Sequence, residues 1–195
     1  MLSTQYAPFR ITVCGIEELP DHCQVGVSHM LSIMDPGRSK LPVFSGYGEH
    51  VRLDLRFDDV VEPVPDKQPP QPTHVRQILD FGRSLTAEPP AKAHLLVHCH
   101  MGVSRSTAAM TLILAQARPD RPAAEALAEV ARIRPQAWPN LRILEIGGEM
   151  LGCRDELLAA LPAIYQRATA HWPADWLDYL KKNHRGREVR LLEGG

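Results

Sequence analysis

The stretch Val97-His98-Cys99-His100-Met101-Gly102-Val103-Ser104-Arg105-Ser106 decides how this chain is read. Upstream, the run from His94 is centred on Leu95-Leu96-Val97, a short apolar segment of the kind that forms a buried strand. Downstream, the spacing predicts a helix from about Ser104 to Ala117, ended by Pro119. A buried strand therefore ends at a cysteine, a loop carrying one glycine follows, and six residues later an arginine enters the first turn of a helix. Backbone N–H groups in such a loop can turn inward as an anion-binding nest. The helix N-terminus adds unpaired donors and the positive end of its dipole. Arg105 can present a bidentate fork to two oxygens of a bound phosphate. The same field favours the thiolate of Cys99. A thiolate beneath a phosphoryl group is an in-line nucleophile.

Outward from this point, the chain reads as strands first and helices later. Residues 10–15 alternate and are β-branched. Val27 to Ile33 forms a second strand candidate, stopped by Asp35-Pro36-Gly37. A third candidate runs from Glu49 to Asp59, with Val51, Leu53, Leu55 and Phe57 alternating with polar residues. Five prolines between Glu62 and Pro72 describe an extended, stiffened loop. Thr73 is the expected N-cap of a helix with Val75, Ile78 and Leu79 on one face, and Pro89-Pro90 ends that region. Helices are expected over 122–133 with Pro122 in the first turn, and from Pro139-Asn140, where Gly147-Gly148 weakens the rod. A further helix starts at Asp155, kinked or split at Pro162, and a last short one covers 174–182. The order implies one α/β domain, a central mostly parallel sheet flanked by helices, with a C-terminal helical extension. Residues 1–153 are assigned to the domain and 154–195 to the extension, packed on it or trailing as a tail.

Composition excludes several classes. Of 195 residues, 44% are apolar and 23% charged, as in ordinary globular proteins rather than disordered or fibrous ones. The 22 basic and 23 acidic residues balance, so nothing draws the whole chain to nucleic acid. The longest apolar stretch, Ala108 to Ala117, is far too short to span a membrane. The N-terminus shows no secretory pattern, and the four cysteines are widely spaced, so a reducing, cytoplasmic setting is expected.

The pattern His98-Cys99-x-x-Gly102-x-x-Arg105-Ser106 resembles the signature loop of the protein tyrosine phosphatase superfamily, and its filling is most similar to the dual-specificity branch. The resemblance covers about residues 10–150. It implies that Cys99 is the nucleophile and forms a phosphocysteine, and that Arg105 binds phosphate oxygens and stabilises the transition state. It further implies that Ser106 assists the thiolate as leaving group and that His98 orients the loop and helps tune the thiolate. The backbone of His100, Met101, Gly102, Val103, Ser104 and Arg105 would cradle the phosphate. No metal or other cofactor is required by this chemistry.

Expelling an alkoxide or phenoxide needs a proton, which relatives take from an upstream aspartate. Asp58 and Asp59 end the third strand candidate. On the alternation Leu53, Leu55, Phe57 the next residue is Asp59, the preferred acid, with Asp58 and then Asp66 as alternatives. Asp59 lies 40 residues before Cys99, a longer interval than compact relatives have, and the excess falls in Glu62–Pro72.

Other residues are read more plainly. Cys14, His22, Cys23 and His29 do not have zinc-site spacing. A disulfide partner for Cys99 among Cys14, Cys23 and Cys153 is left open. The run from Lys181 to Arg190 is either a solvated tail or an arm for an anionic partner. Trp138, Trp172 and Trp176 are packing residues, with Trp138 the one able to border the site. The expected activity is phosphomonoester hydrolysis of phosphotyrosine or phosphoserine/threonine proteins. The alternatives are a small phosphoester such as an inositol, nucleotide or sugar phosphate, or a weakly catalytic module that captures phosphorylated ligands. Lysines within the loop, which phosphoinositide-directed relatives often carry, are missing here.

Overall fold

The structure is a computed structural model that describes residues 6–39, 46–85 and 93–194. Its sheet has four strands, β1 (Arg10–Cys14), β2 (His29–Met34), β3 (Val51–Arg56) and β4 (His94–His98), all parallel, in the order β1-β4-β2-β3. Seven α-helices accompany it among the described residues: α1 (Pro72–Ser84), α2 (Arg105–Ala117), α3 (Ala123–Ile133), α4 (Leu141–Leu151), α5 (Arg154–Ala168), α6 (Trp176–Lys182) and α7 (Gly186–Glu193). The α/β class and the parallel sheet match the sequence expectation.

Alternation along each strand separates two apolar layers. Val13, Leu31, Ile33, Leu55, Leu95 and Val97 enter the main core, which contains the buried faces of all seven helices. Cys14, Met30 and Leu96 point the other way, into a small cluster closed by Leu19, Val27 and Tyr47. The helices thus cover one face of the sheet and loop segments cover the other. β4 is fully buried between β1 and β2, so the loop that follows it emerges at the centre of the sheet.

Several expected boundaries change. Helix α1 is capped by Gln71 with Pro72 in its first turn, not by Thr73. Pro89-Pro90 lies outside the described residues. Helix α4 is continuous through Gly147-Gly148, with Gly147 against Leu112 of α2 and Gly148 against Arg154 at the start of α5. A Cβ on Gly147 would lie 2.6 Å from Leu112 Cδ2, so the bare glycine gives the Leu112 side chain its present place. Helix α5 keeps Pro162 inside one unbroken helix, and a helix not foreseen, α7, occupies the basic run assigned to a tail or arm.

Candidate active site

The loop between β4 and α2 is built by its carbonyl groups. His100 O accepts from Ile16 N, Met101 O and Gly102 O accept from the Arg134 guanidinium, Val103 O from Trp138 N, and Ser104 O from Ala108 N and Asn140 N. Every carbonyl from His100 to Ser104 is therefore tied outward. Among the described residues nothing accepts from the N–H groups of this loop, which leaves them available to an anion. Arg134 is itself anchored by Glu18, whose carboxylate takes both of its terminal nitrogens and also caps Gly15 N. Gly102 has φ +70° and sits against the end of β1, so it shapes the loop from behind.

Cys99 is buried at the base of the loop, with its Sγ 3.2 Å from Ser106 Oγ in the first turn of α2. Arg105 is buried as well. Its Nη1 donates to Asp35 Oδ1 at 2.6 Å and to the Phe57 carbonyl at 2.7 Å, and both bonds fix the plane of the guanidinium. Its buried Nε has no partner, an arrangement suited to an incoming phosphate oxygen. Burial pulls the Arg105 pKa down, but Asp59, Cys99 and Asp35 outweigh it and raise it above its ordinary value.

His98 stands behind the loop, fully buried, with Nδ1 3.4 Å from the Cys99 carbonyl. Burial lowers it to about 4. It is neutral near pH 7, so it can act on Cys99 through position and hydrogen bonding rather than as a cation.

The two aspartates diverge. Asp58 faces the proline-rich loop: Oδ2 accepts from Gln68 N at 2.8 Å, Oδ1 meets Lys67 Nζ at 3.1 Å, and its own N–H donates to Gln68 O. It clasps the long loop shut, and Arg142 holds the far end through Pro70 O. Asp59 continues the alternation of Leu53, Leu55 and Phe57 toward the face that carries Cys99. Its Oδ1 accepts from Ser104 Oγ at 2.7 Å and from Asn140 Nδ2 at 2.8 Å, and its Oδ2 meets Arg185 Nη1 at 3.1 Å. Burial alone pushes the Asp59 carboxyl up, but Arg185, Arg105 and the bonds from Ser104 and Asn140 hold it below its ordinary value. Asp66 is exposed, with φ 62°.

Cys99, His100, Met101, Val103, Ser104, Arg105 and Asp59 line one cleft of about 390 Å³. Ser106 lies just beneath it. Arg38 reaches the His100 ring at 3.2 Å near the mouth. The far wall comes from the C-terminal segment, through Trp176, Tyr179, Asn183, His184 and Arg185. The reading of Lys181–Arg190 as a solvated tail or arm is thereby corrected: Arg185 and Glu188 are buried, and Leu180 and Val189 enter the core. Trp138 is buried in that same wall, stacked on Tyr165 and bonded to Glu188.

Sequence reasoning did not single out Asp35, Glu18, Arg134, Asn140 or Arg185 for the site. Only Asn140 carried a local signal, as the cap of α4, where its Oδ1 accepts from Ile143 N. All four cysteines are free, and Cys14 points into the opposite apolar layer from Cys99.

Known proteins share this fold. The family model of PTP-like phytases, described by inositol hexakisphosphate, matches residues 55–114. That span holds both Asp59 and the loop from Cys99 to Ser106. Tk-PTP in its active form superposes with a TM-score of 0.54 at 21% identity, over 78% of this chain and 99% of that one. Human DUSP28 gives 0.54 at 17% identity, over 80% and 97%. PTPMT1 in complex with PI(5)P gives 0.53 at 16%, over 77% and 93%. No curated protein matches in sequence. With the Cys99-to-Arg105 loop intact, the chain is similar to PTP-like phytases over residues 55–114 and shares its fold with tyrosine and dual-specificity phosphatase structures.

Proposed function

We propose that the protein hydrolyses phosphomonoesters through a phosphocysteine at Cys99, with phosphorylated proteins as its substrates. The observation that carries this reading is the loop itself: outward-tied carbonyls, free N–H groups, a buried Arg105 with an open Nε, and a thiol 3.2 Å from a hydroxyl. The phosphate sits in the loop with its dianion balanced by Arg105 and the α2 N-terminus. The Cys99 thiolate attacks phosphorus, an S–P bond forms and the P–O ester bond breaks. The leaving oxygen takes a proton from Asp59. Water then attacks the phosphocysteine and gives its proton to the Asp59 carboxylate. The S–P bond breaks, inorganic phosphate is released, and Ser106 steadies the returning thiolate by hydrogen bonding.

A second reading, an inositol phosphate substrate, is supported by the PTP-like phytase match over residues 55–114 and by Lys67 and Arg38 near the cleft mouth. No helix among the described residues is long and apolar enough to cross a membrane.

The test measures phosphate release from phosphotyrosine and phosphothreonine peptides and from inositol hexakisphosphate, with Cys99→Ser as the control. Turnover of peptides that is blocked by vanadate and lost in Cys99→Ser supports the first reading. Selective release from the inositol phosphate supports the second. Phosphopeptide binding without turnover of any substrate sinks both and leaves a ligand-capture module.

A further inference from the structure

The family match ends at residue 114, yet the cleft is completed by a segment near residue 185. That segment is built for a purpose other than surface packing. Arg185 is almost fully buried, and its guanidinium is a bridge. Nε and Nη2 pair with the two oxygens of Glu188 at 2.7 and 2.8 Å, while Nη1 meets Asp59 Oδ2 at 3.1 Å. Glu188 is in turn fixed by Trp138 Nε1 and by Leu141 N at the start of α4, both at 3.0 Å. The fork therefore has no rotational freedom at Asp59.

We propose that Arg185 is a positioning residue of the active site, setting the orientation of the Asp59 carboxyl over the phosphate loop, so that the C-terminal segment is part of the working domain. The inference rests on the reading of Asp59 as proton donor. Ser104 and Asn140 both bond Oδ1, which leaves Oδ2 to carry the transferable proton. Arg185 occupies one side of Oδ2 and can only donate, so the proton takes the other side. The positive charge of Arg185 also keeps Asp59 ready to return to the carboxylate that activates water in the second step. Around Asp59 among the described residues the other charged and titratable groups are Arg105, Glu188, Tyr165 and, along the cleft, Asp35, Asp58, Lys67, Cys99, His100, Tyr179 and His184. Arg105 is committed to Asp35 and the Phe57 carbonyl, and Lys67 to Asp58, so Arg185 is the cation bonded directly to the carboxyl.

The experiment compares kcat/KM against pH for 4-nitrophenyl phosphate, a good leaving group, and phenyl phosphate, a poor one. The full-length wild type, Asp59→Asn, Arg185→Lys and the charge-neutral pair Arg185→Met/Glu188→Gln are measured; the pair avoids a buried orphan carboxylate. In wild type the rate with phenyl phosphate falls as pH rises through the Asp59 pKa. Removing Arg185 is expected to move that descending limb upward by about one pH unit, because an opposite charge beside a carboxylate shifts it by about 1–3 units. The rate with phenyl phosphate drops roughly tenfold or more, while 4-nitrophenyl phosphate loses less than about threefold. Arg185→Lys recovers part of both. Equal losses on the two esters with an unmoved limb overturn the proposal and reduce Arg185 to a staple for α7. Should Asp59→Asn keep the descending limb, the assignment of Asp59 itself has failed, a result distinguishable from failure of Arg185 alone.

Discussion

Gly102→Ala tests whether the shape of the phosphate loop is set by its contact with β1. Gly102 has φ +70°, a conformation that costs an alanine about 1–2 kcal/mol. The added Cβ would lie 2.6 Å from both the Cys14 carbonyl oxygen and Gly15 N, where ordinary contact begins at 3.4 Å. These are backbone atoms at the end of a strand paired with β4, so they cannot rotate aside as a side chain would. The loop must retreat by close to 1 Å, and such overpacking adds roughly 1–3 kcal/mol. The sum is about 2–5 kcal/mol, or a fall in Tm of roughly 5–20 °C for a domain of this size. On the proposed mechanism, a displacement of about 1 Å in the loop costs on the order of 100-fold in rate. The assay is thermal denaturation alongside kcat/KM on 4-nitrophenyl phosphate. An alanine variant with wild-type Tm and wild-type kcat/KM would falsify the claim that β1 shapes this loop.

Three further outcomes follow from the same geometry. Glu188→Ala removes one half of a buried ion pair and strands Trp138 Nε1 and Leu141 N; a loss of about 3–5 kcal/mol is expected by chemical denaturation, whereas an exposed tail would show none. His98, lowered to about 4 by burial, stays neutral in the folded state while the unfolded chain takes up protons below about 6.5. Stability therefore falls as pH drops through this window, by about 2 kcal/mol between pH 7 and pH 5 from this group, and His98→Asn should flatten the dependence in urea titrations at the two pH values. Asp58→Asn keeps the contact to Gln68 N and loses only the half-exposed Lys67 pair, so stability changes by less than about 1 kcal/mol and the pH–rate profile stays in place. A displaced profile in that variant assigns the proton donor to the wrong aspartate.

Length of interaction along the chain separates what was legible from what was not. Cys99, Arg105 and Ser106 sit within eight residues, and strand and helix periodicity around them is local, so loop and fold class could both be read directly. That Asp59 bonds Ser104 while Asp58 turns to Gln68 was readable from the same alternation, carried past the end of β3. The expectations of a split at Pro162 and of a weakened rod at Gly147-Gly148 failed for a different reason. Local propensity counts a proline or a glycine against a helix, but packing overrides it: Gly147 makes room for Leu112 of α2.

By itself, then, the sequence determined the strand–loop–helix unit, the placing of Cys99, Arg105 and Ser106 on it and the parallel α/β plan, because each rests on neighbours in the chain. Only the tertiary structure decided what surrounds them. Arg134 meets Glu18 across 116 positions, Arg105 meets Asp35 across 70, and Arg185 meets Asp59 across 126. A basic residue in sequence carries no mark of which carboxylate it will face. The pairing follows from a sheet order that brings β4 between β1 and β2, and from apolar anchors such as Leu180 and Val189 that draw the last helices onto the core. Hydrophobic burial placed the C-terminal segment, and only after it was placed did Arg185 acquire a partner in the cleft.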